Sequence, residues 1–115
     1  MASGKAIAVI LIVIIGLGVI LYYDGIIGTN KIGSIDASMV GQKVRIRGIV
    51  DSRISFLGIE AISVKDDSGS ITATLSGGMQ LPAVGMYIVV EGLVKQFGNT
   101  FYIEVLSWHE ALVFR

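Results

Sequence analysis

The run from Ala6 to Tyr23, 18 residues without a charge, constrains this chain more than any other feature. Backbone groups placed in hydrocarbon find no water, so so apolar a segment is stable there only as a helix that satisfies its own amides and carbonyls. At about 1.5 Å per residue it would extend about 27 Å, close to the roughly 30 Å core of a bilayer. Half of it is Ile or Val, weak helix formers in water, but that propensity is overridden in lipid, where an unpaired backbone group costs several kcal/mol. Tyr22 and Tyr23 fall where an interfacial aromatic belt belongs.

A cleaved secretory signal would share the basic start at Lys5 and the apolar core, but it needs small residues at a cleavage site. Gly16 and Gly18 have that spacing inside the run itself, while Gly25 has Tyr23 two positions before it and Gly28 has Ile26. An uncleaved, single-pass anchor is therefore expected. A buried soluble helix is excluded on size, because a domain of about ninety residues cannot surround an element that is apolar on every face. Lys5 and the amino terminus precede the run, Asp24 follows it and the next cation is Lys31. That bias places the N-terminus in the cytoplasm and the rest of the chain outside. With no cysteine, disulfides, thiol chemistry and cysteine metal sites are all removed.

The 53% hydrophobic content is inflated by this segment. From Asn30 onward eight Lys or Arg balance eight Asp or Glu, which argues against a nonspecific nucleic-acid binder with a broad cationic footprint. The expected organisation is an anchor over residues 1–23 (helix about 6–23), a short flexible tether over 24–31 with two glycines, and one domain over 32–115. SIDASMVG reads as a turn of helix or a loop leading in, with Ser34 placed to cap it.

Beyond Gln42 the period becomes two. In KVRIRGIV, Val44, Ile46 and Val50 alternate with Lys43, Arg45, Arg47 and Ile49, the pattern of a strand with one buried face. Gly48 interrupts the row and marks a bulge or a bend at a barrel corner. IEAISVKD continues with Ile62 and Val64 inward; Asp66-Asp67-Ser68-Gly69 is a tight turn; SITATLS returns with Ile71, Ala73 and Leu75 inward. After the glycine-rich GGMQLPAVG come a fourth strand (Ile88, Val90 and Val94 inward), a turn at Phe97-Gly98-Asn99, and a fifth strand (Phe101, Ile103 and Val105 inward). Five strands, the first long and bent, predict an all-β closed barrel behind one N-terminal transmembrane helix.

The segments GQKVRIRGIV, SVKDDSGSITATL and VGMYIVVEGLVKQFGNTFYIEV together resemble an OB-fold of the tRNA-anticodon and helicase-associated class of nucleic-acid-binding modules, over roughly Ile32 to Leu106. The resemblance implies a ligand across the second and third strands, flanked by the loop after the first strand and the loop joining the fourth and fifth. The outward positions there are Ala61, Ser63, Lys65, Thr72 and Thr74, and none is aromatic. A cationic edge would replace a stacking platform: Lys43, Arg45 and Arg47 on the first strand, Arg53 and Phe56 in the loop after it, and Lys65, with Phe97 in the later loop. The alternative for those cations is a solvated strand face paired with Glu60, Glu91 or Glu104. The implied partners are the membrane and single-stranded nucleic acid; an extracytoplasmic protein or glycan of an envelope complex is the alternative, and it fits neutrality and outward orientation.

The placement of His109 after the last strand also resembles the OB-fold haem chaperone of cytochrome c maturation, which attaches haem through such a histidine. That motif has a Tyr four residues beyond the His, where this chain has Val113, so His109 is a cofactor residue only under that alternative. No cofactor is otherwise expected. One His, no Cys and singly scattered carboxylates supply neither a nucleophile with its base nor a set of metal ligands, and the chain is expected not to be an enzyme.

Overall fold

A computed structural model describes residues 4–56 and 59–113, with the Phe56 side chain outside the description. Helix α1 spans Gly4–Tyr23, and its 20 residues, about 30 Å long, include none that is buried. It is one helix long and apolar enough to cross a membrane. Among the described residues five strands follow: β1 (Lys43–Phe56), β2 (Ile59–Lys65), β3 (Ser70–Leu75), β4 (Tyr87–Phe97) and β5 (Thr100–Glu110). They close into a barrel in the order β1-β2-β3-β5-β4.

Strand β1 makes closure possible by serving two neighbours. Its first half, Lys43 to Ile49, pairs with β4; its second half, Ile49 to Phe56, pairs with β2 across a register shift between Val50 and Ser52. The bend comes at Gly48, where a Cβ would stand 2.4 Å from the Lys65 carbonyl oxygen. Gly92 plays the same part beside the shift between β4 and β5, with the Glu104 carbonyl oxygen 2.4 Å from where its Cβ would be. The last seam is parallel: Thr72, Ala73 and Thr74 of β3 lie beside Tyr102, Ile103 and Glu104 of β5.

The inward residues expected from alternation form the core. Ile46, Ile62, Ile88 and Ile103 are fully buried, surrounded by Val50, Val64, Val90, Val94 and Ala73. Each large side chain so buried contributes about 1.5–3 kcal/mol. Ile32 plugs one end from a 3-10 turn, and its amide donates to Asp66 Oδ2 at 2.9 Å. Asp66 Oδ1 meanwhile accepts from the Ser68 amide, the Ser68 hydroxyl and the Gly69 amide, which fixes the β2–β3 turn. Trp108 Nε1 donates to the Gln80 carbonyl at 2.8 Å and pins the long β3–β4 connection.

Three local expectations change. Arg53 and Phe56 are on β1 itself, because the strand runs through the bulge that breaks its alternation at Asp51 and Ser52. The turn at Ala37–Met39 is capped by Asp36, whose side chain accepts from the Ser38 amide, while Ser34 donates its hydroxyl back to the Lys31 carbonyl. The glycine-containing segment after α1 is held at both ends, by Asp24 and by Asn30, whose amide donates to the Arg45 carbonyl at 2.7 Å.

Candidate ligand-binding face

The register assembles one continuous outer face. Lys95, Tyr102, Thr72, Ser63 and Ser52 form a row across β4, β5, β3, β2 and β1; Leu93, Glu104, Thr74, Ala61 and Ile54 form the next. The β3–β5 seam brings Tyr102 beside Thr72 and gives the face an aromatic side chain, which an inspection of β2 and β3 alone misses. Alternation in TFYIEV, with Ile103 inward, is the signal that places Tyr102 outward. Phe97, opposite Thr100 and 82% exposed, stands two residues of β5 from Tyr102. The charges here cancel, since Lys95 Nζ is 3.6 Å from Glu104 Oε2. Ile54 and Ile59 are exposed along the β1–β2 side, whereas Ala61, expected to face outward, is nearly buried between its neighbours.

The expected cationic edge is dispersed. Lys43 is exposed, with Nζ 3.3 Å from Glu91 Oε2. Arg53 is exposed opposite Ile62, one residue out of step with the row of Ser52, Ser63 and Thr72. Lys65 is exposed at the end of β2, beside a groove of about 780 Å³ that it lines together with Lys31, Arg47, Asp51, Asp66 and Asp67. Arg45 and Arg47 turn the other way, toward α1.

Arg45 is only 8% exposed. Its Nη2 donates to the Tyr23 carbonyl at 3.3 Å, its guanidinium lies 3.9 Å over the Tyr22 ring, and its Nε is 3.4 Å from Glu91 Oε1 without hydrogen-bond alignment. Arg47 Nε donates to the Asp24 carbonyl at 2.7 Å. His109 Nε2 donates to the Tyr23 carbonyl at 2.7 Å while its ring stacks on Tyr23, centroids 4.2 Å apart. A helix leaves its last four carbonyls unpaired, and here each has a partner: the Asp24 amide for Ile20, those of Ile26 and Ile27 for Leu21, that of Gly25 for Tyr22, and the two side chains for Tyr23. Asp24, 1% exposed, accepts from the amides of Leu112 and Val113 at 3.0 and 2.6 Å. One ring nitrogen of His109, Nε2, is thus engaged by backbone. Among the described residues no three His, Asp or Glu side chains converge as a metal site.

The barrel superposes on the asparaginyl-tRNA synthetase of Pyrococcus horikoshii with a TM-score of 0.64 at 17% identity, covering 73% of this chain and 23% of that one. It matches OBody AM1L10, solved bound to hen egg-white lysozyme, at 0.62 and 16%, covering 72% and 92%. It matches a chain of a replication protein A heterotrimer bound to single-stranded DNA at 0.57 and 17%, covering 77% and 76%. The barrel is an OB-fold. The chain spans under a quarter of the synthetase, and at these identities the likeness carries the fold alone. No protein-family model and no curated protein sequence matches the chain. On the OB barrel, the face built around Thr72 and Tyr102 lies across β2 and β3, the position this fold uses for ligands. It is well separated from the end of α1: Lys95 is six residues of β4 from Val89, the neighbour of His109, or about 20 Å.

Proposed function

We propose that the chain is a membrane-anchored OB-fold binding module, not an enzyme, that holds a protein partner across β2, β3 and β5. The observation that carries this reading is the turning of Arg45 and Arg47 toward the anchor. Their departure leaves a face of hydroxyls, one tyrosine, one neutralised ion pair and exposed Ile54 and Ile59. Such a mixture of aromatic and aliphatic contacts with little net charge suits a protein surface; a phosphate backbone draws its affinity from clustered cations. Anchoring rests on the length, apolarity and lack of burial of α1, and the charge bias around α1 favours a barrel outside the cytoplasm, in agreement with a protein ligand.

Tyr102 beside Thr72, Phe97 at the neighbouring hairpin, and the DNA-bound neighbour favour a second reading, in which single-stranded nucleic acid stacks on the same face. Of the expected cations Lys43, Arg53 and Lys65 are left to meet phosphates, and three such contacts give a salt slope of about −2 in log K against log salt. One experiment separates the two. A photo-crosslinker at Thr74 in native membranes is expected to yield a discrete protein adduct that Tyr102→Ala abolishes and that a crosslinker at Val84 does not give. Salt-dependent binding of a labelled oligonucleotide by the full chain in nanodiscs, lost in Tyr102→Ala, with a C-terminal reporter active in the cytoplasm, would replace the protein reading by the nucleic-acid one.

A further inference from the structure

Ile26, Ile27, Leu112 and Val113 come from two segments some 85 residues apart, yet they surround one point. The amides of Ile26 and Ile27 bond to the Leu21 carbonyl at the end of α1, and those of Leu112 and Val113 bond to the Asp24 carboxylate one residue beyond it. Polar groups of both segments are thereby turned inward and satisfied, while the four aliphatic side chains remain 45–62% exposed. Single exposed aliphatics are ordinary on a soluble surface, but a cluster of them marks an interaction site. This cluster adjoins Tyr22 and Tyr23, which stay about half exposed although Arg45 and His109 pack on one face of each, and the apolar surface of α1, of which no residue is buried.

We propose that these four residues form a collar that dips into the lipid interface, seating the barrel flush on the bilayer at the foot of its anchor. The proposal rests on the reading of α1 as a transmembrane anchor. A helix of about 30 Å fills the hydrocarbon layer and brings Tyr22 and Tyr23 to its boundary. Side chains in the next turn then lie at the headgroup and acyl boundary, where apolar groups lose water and backbone amides must already be paired. Both conditions are met at the collar. The occupant is lipid because both segments of the collar are bonded directly at the end of the apolar helix; Phe97, barer still, has no such link and stands at the far end of β4.

The chain has no cysteine, so single sites take an environment-sensitive fluorophore cleanly. Ile12→Cys, Ile27→Cys, Leu112→Cys and Phe97→Cys, each in the full chain reconstituted in phosphatidylcholine and phosphatidylglycerol vesicles, are read against lipids carrying quenchers at shallow or deep acyl positions. The expected result is deep quenching at position 12, loss of most emission to the shallow quencher at positions 27 and 112, and water-like, unquenched emission at position 97. Deep quenching at 12 with water-like emission at 27 and 112 overturns the collar and leaves the anchor standing. Blue-shifted but unquenched probes at 27 and 112 mean that protein, including a second copy, covers the site, and they overturn the lipid assignment. An unquenched probe at 12 removes the anchor reading and the collar with it. Quenching at 97 equal to that at 27 shows a barrel lying on the membrane by no particular face and also overturns the collar.

Discussion

Asp24 combines a buried negative charge with a position at the end of a helix, where the macrodipole disfavours an anion. Its two oxygens receive the amides of Leu112 and Val113, and charge-assisted bonds of this kind are worth about 1.5–3 kcal/mol each. Asp24→Ala should therefore destabilise the detergent-solubilised protein by about 2–4 kcal/mol, read as a lower urea midpoint at unchanged slope. An unchanged midpoint would mean that the amides of Leu112 and Val113 find other acceptors. Asp66 acts by the same chemistry in the β2–β3 turn. Partial burial pushes its pKa up, but the Ile32 amide, the Ser68 hydroxyl and the Ser68 and Gly69 amides pull it down further, so it stays below the ordinary value of 3.8. A group with a depressed folded-state pKa stabilises fully above its unfolded value and loses that contribution as pH falls through the folded one. The midpoint should thus decline below about pH 4, and Asp66→Asn, lower in stability at neutral pH, should decline less over the same acid range.

At the scale of elements, barrel closure depends on two positions that accept no side chain. A Cβ at Gly48 would meet the Lys65 carbonyl and one at Gly92 the Glu104 carbonyl, in each case backbone that cannot swing aside. Gly48→Ala and Gly92→Ala should each cost about 1–3 kcal/mol of overpacking, measured by denaturant unfolding; Gly77→Ala, with open space around it, is the control and should cost little. These strands were legible in sequence because one face is buried and the other is not, so Val44, Ile46, Ile62, Val64 and Ile88 announce themselves by parity. Strand β1 was read short because a bulge at Asp51 and Ser52 puts two residues where alternation expects one. Tyr102 was outside the expected site because its neighbour Thr72 lies 30 positions earlier and meets it only through a parallel seam, which leaves no local signature. Arg45 and Arg47 obey the alternation perfectly well, but parity says only that they leave the core, not that a helix end 22 or 23 residues away is waiting outside.

For the whole molecule, the consequence of that junction is a fixed angle between α1 and the barrel. The chain extends 65 Å along its longest axis and 30 by 25 Å across, with α1 projecting free of the barrel, so its orientation is set entirely at the helix end. Arg45, Arg47 and His109 grip the carbonyls of Tyr23 and Asp24 from β1 and β5, and the Asp24 carboxylate accepts from the Leu112 and Val113 amides in return. Four contacts from two strands and a terminus restrain rotation as well as distance; a glycine-rich connection alone would behave as a swivel. Spin labels at Ile12→Cys and Phe97→Cys, the only cysteines in the chain, should give one narrow distance distribution for the protein in nanodiscs. Arg47→Ala with His109→Ala removes two of the three side-chain donors while leaving the core and the outer face of β2, β3 and β5 intact, and should broaden that distribution at least about twofold while lowering the unfolding midpoint by no more than about 1–3 kcal/mol equivalent. A distribution already broad in the unsubstituted chain would show that the barrel swings on its anchor. In the narrow case, the face carrying Tyr102 and Phe97 is held some 20 Å from the helix foot along β4, and the proposed partner would meet it at one height and one angle.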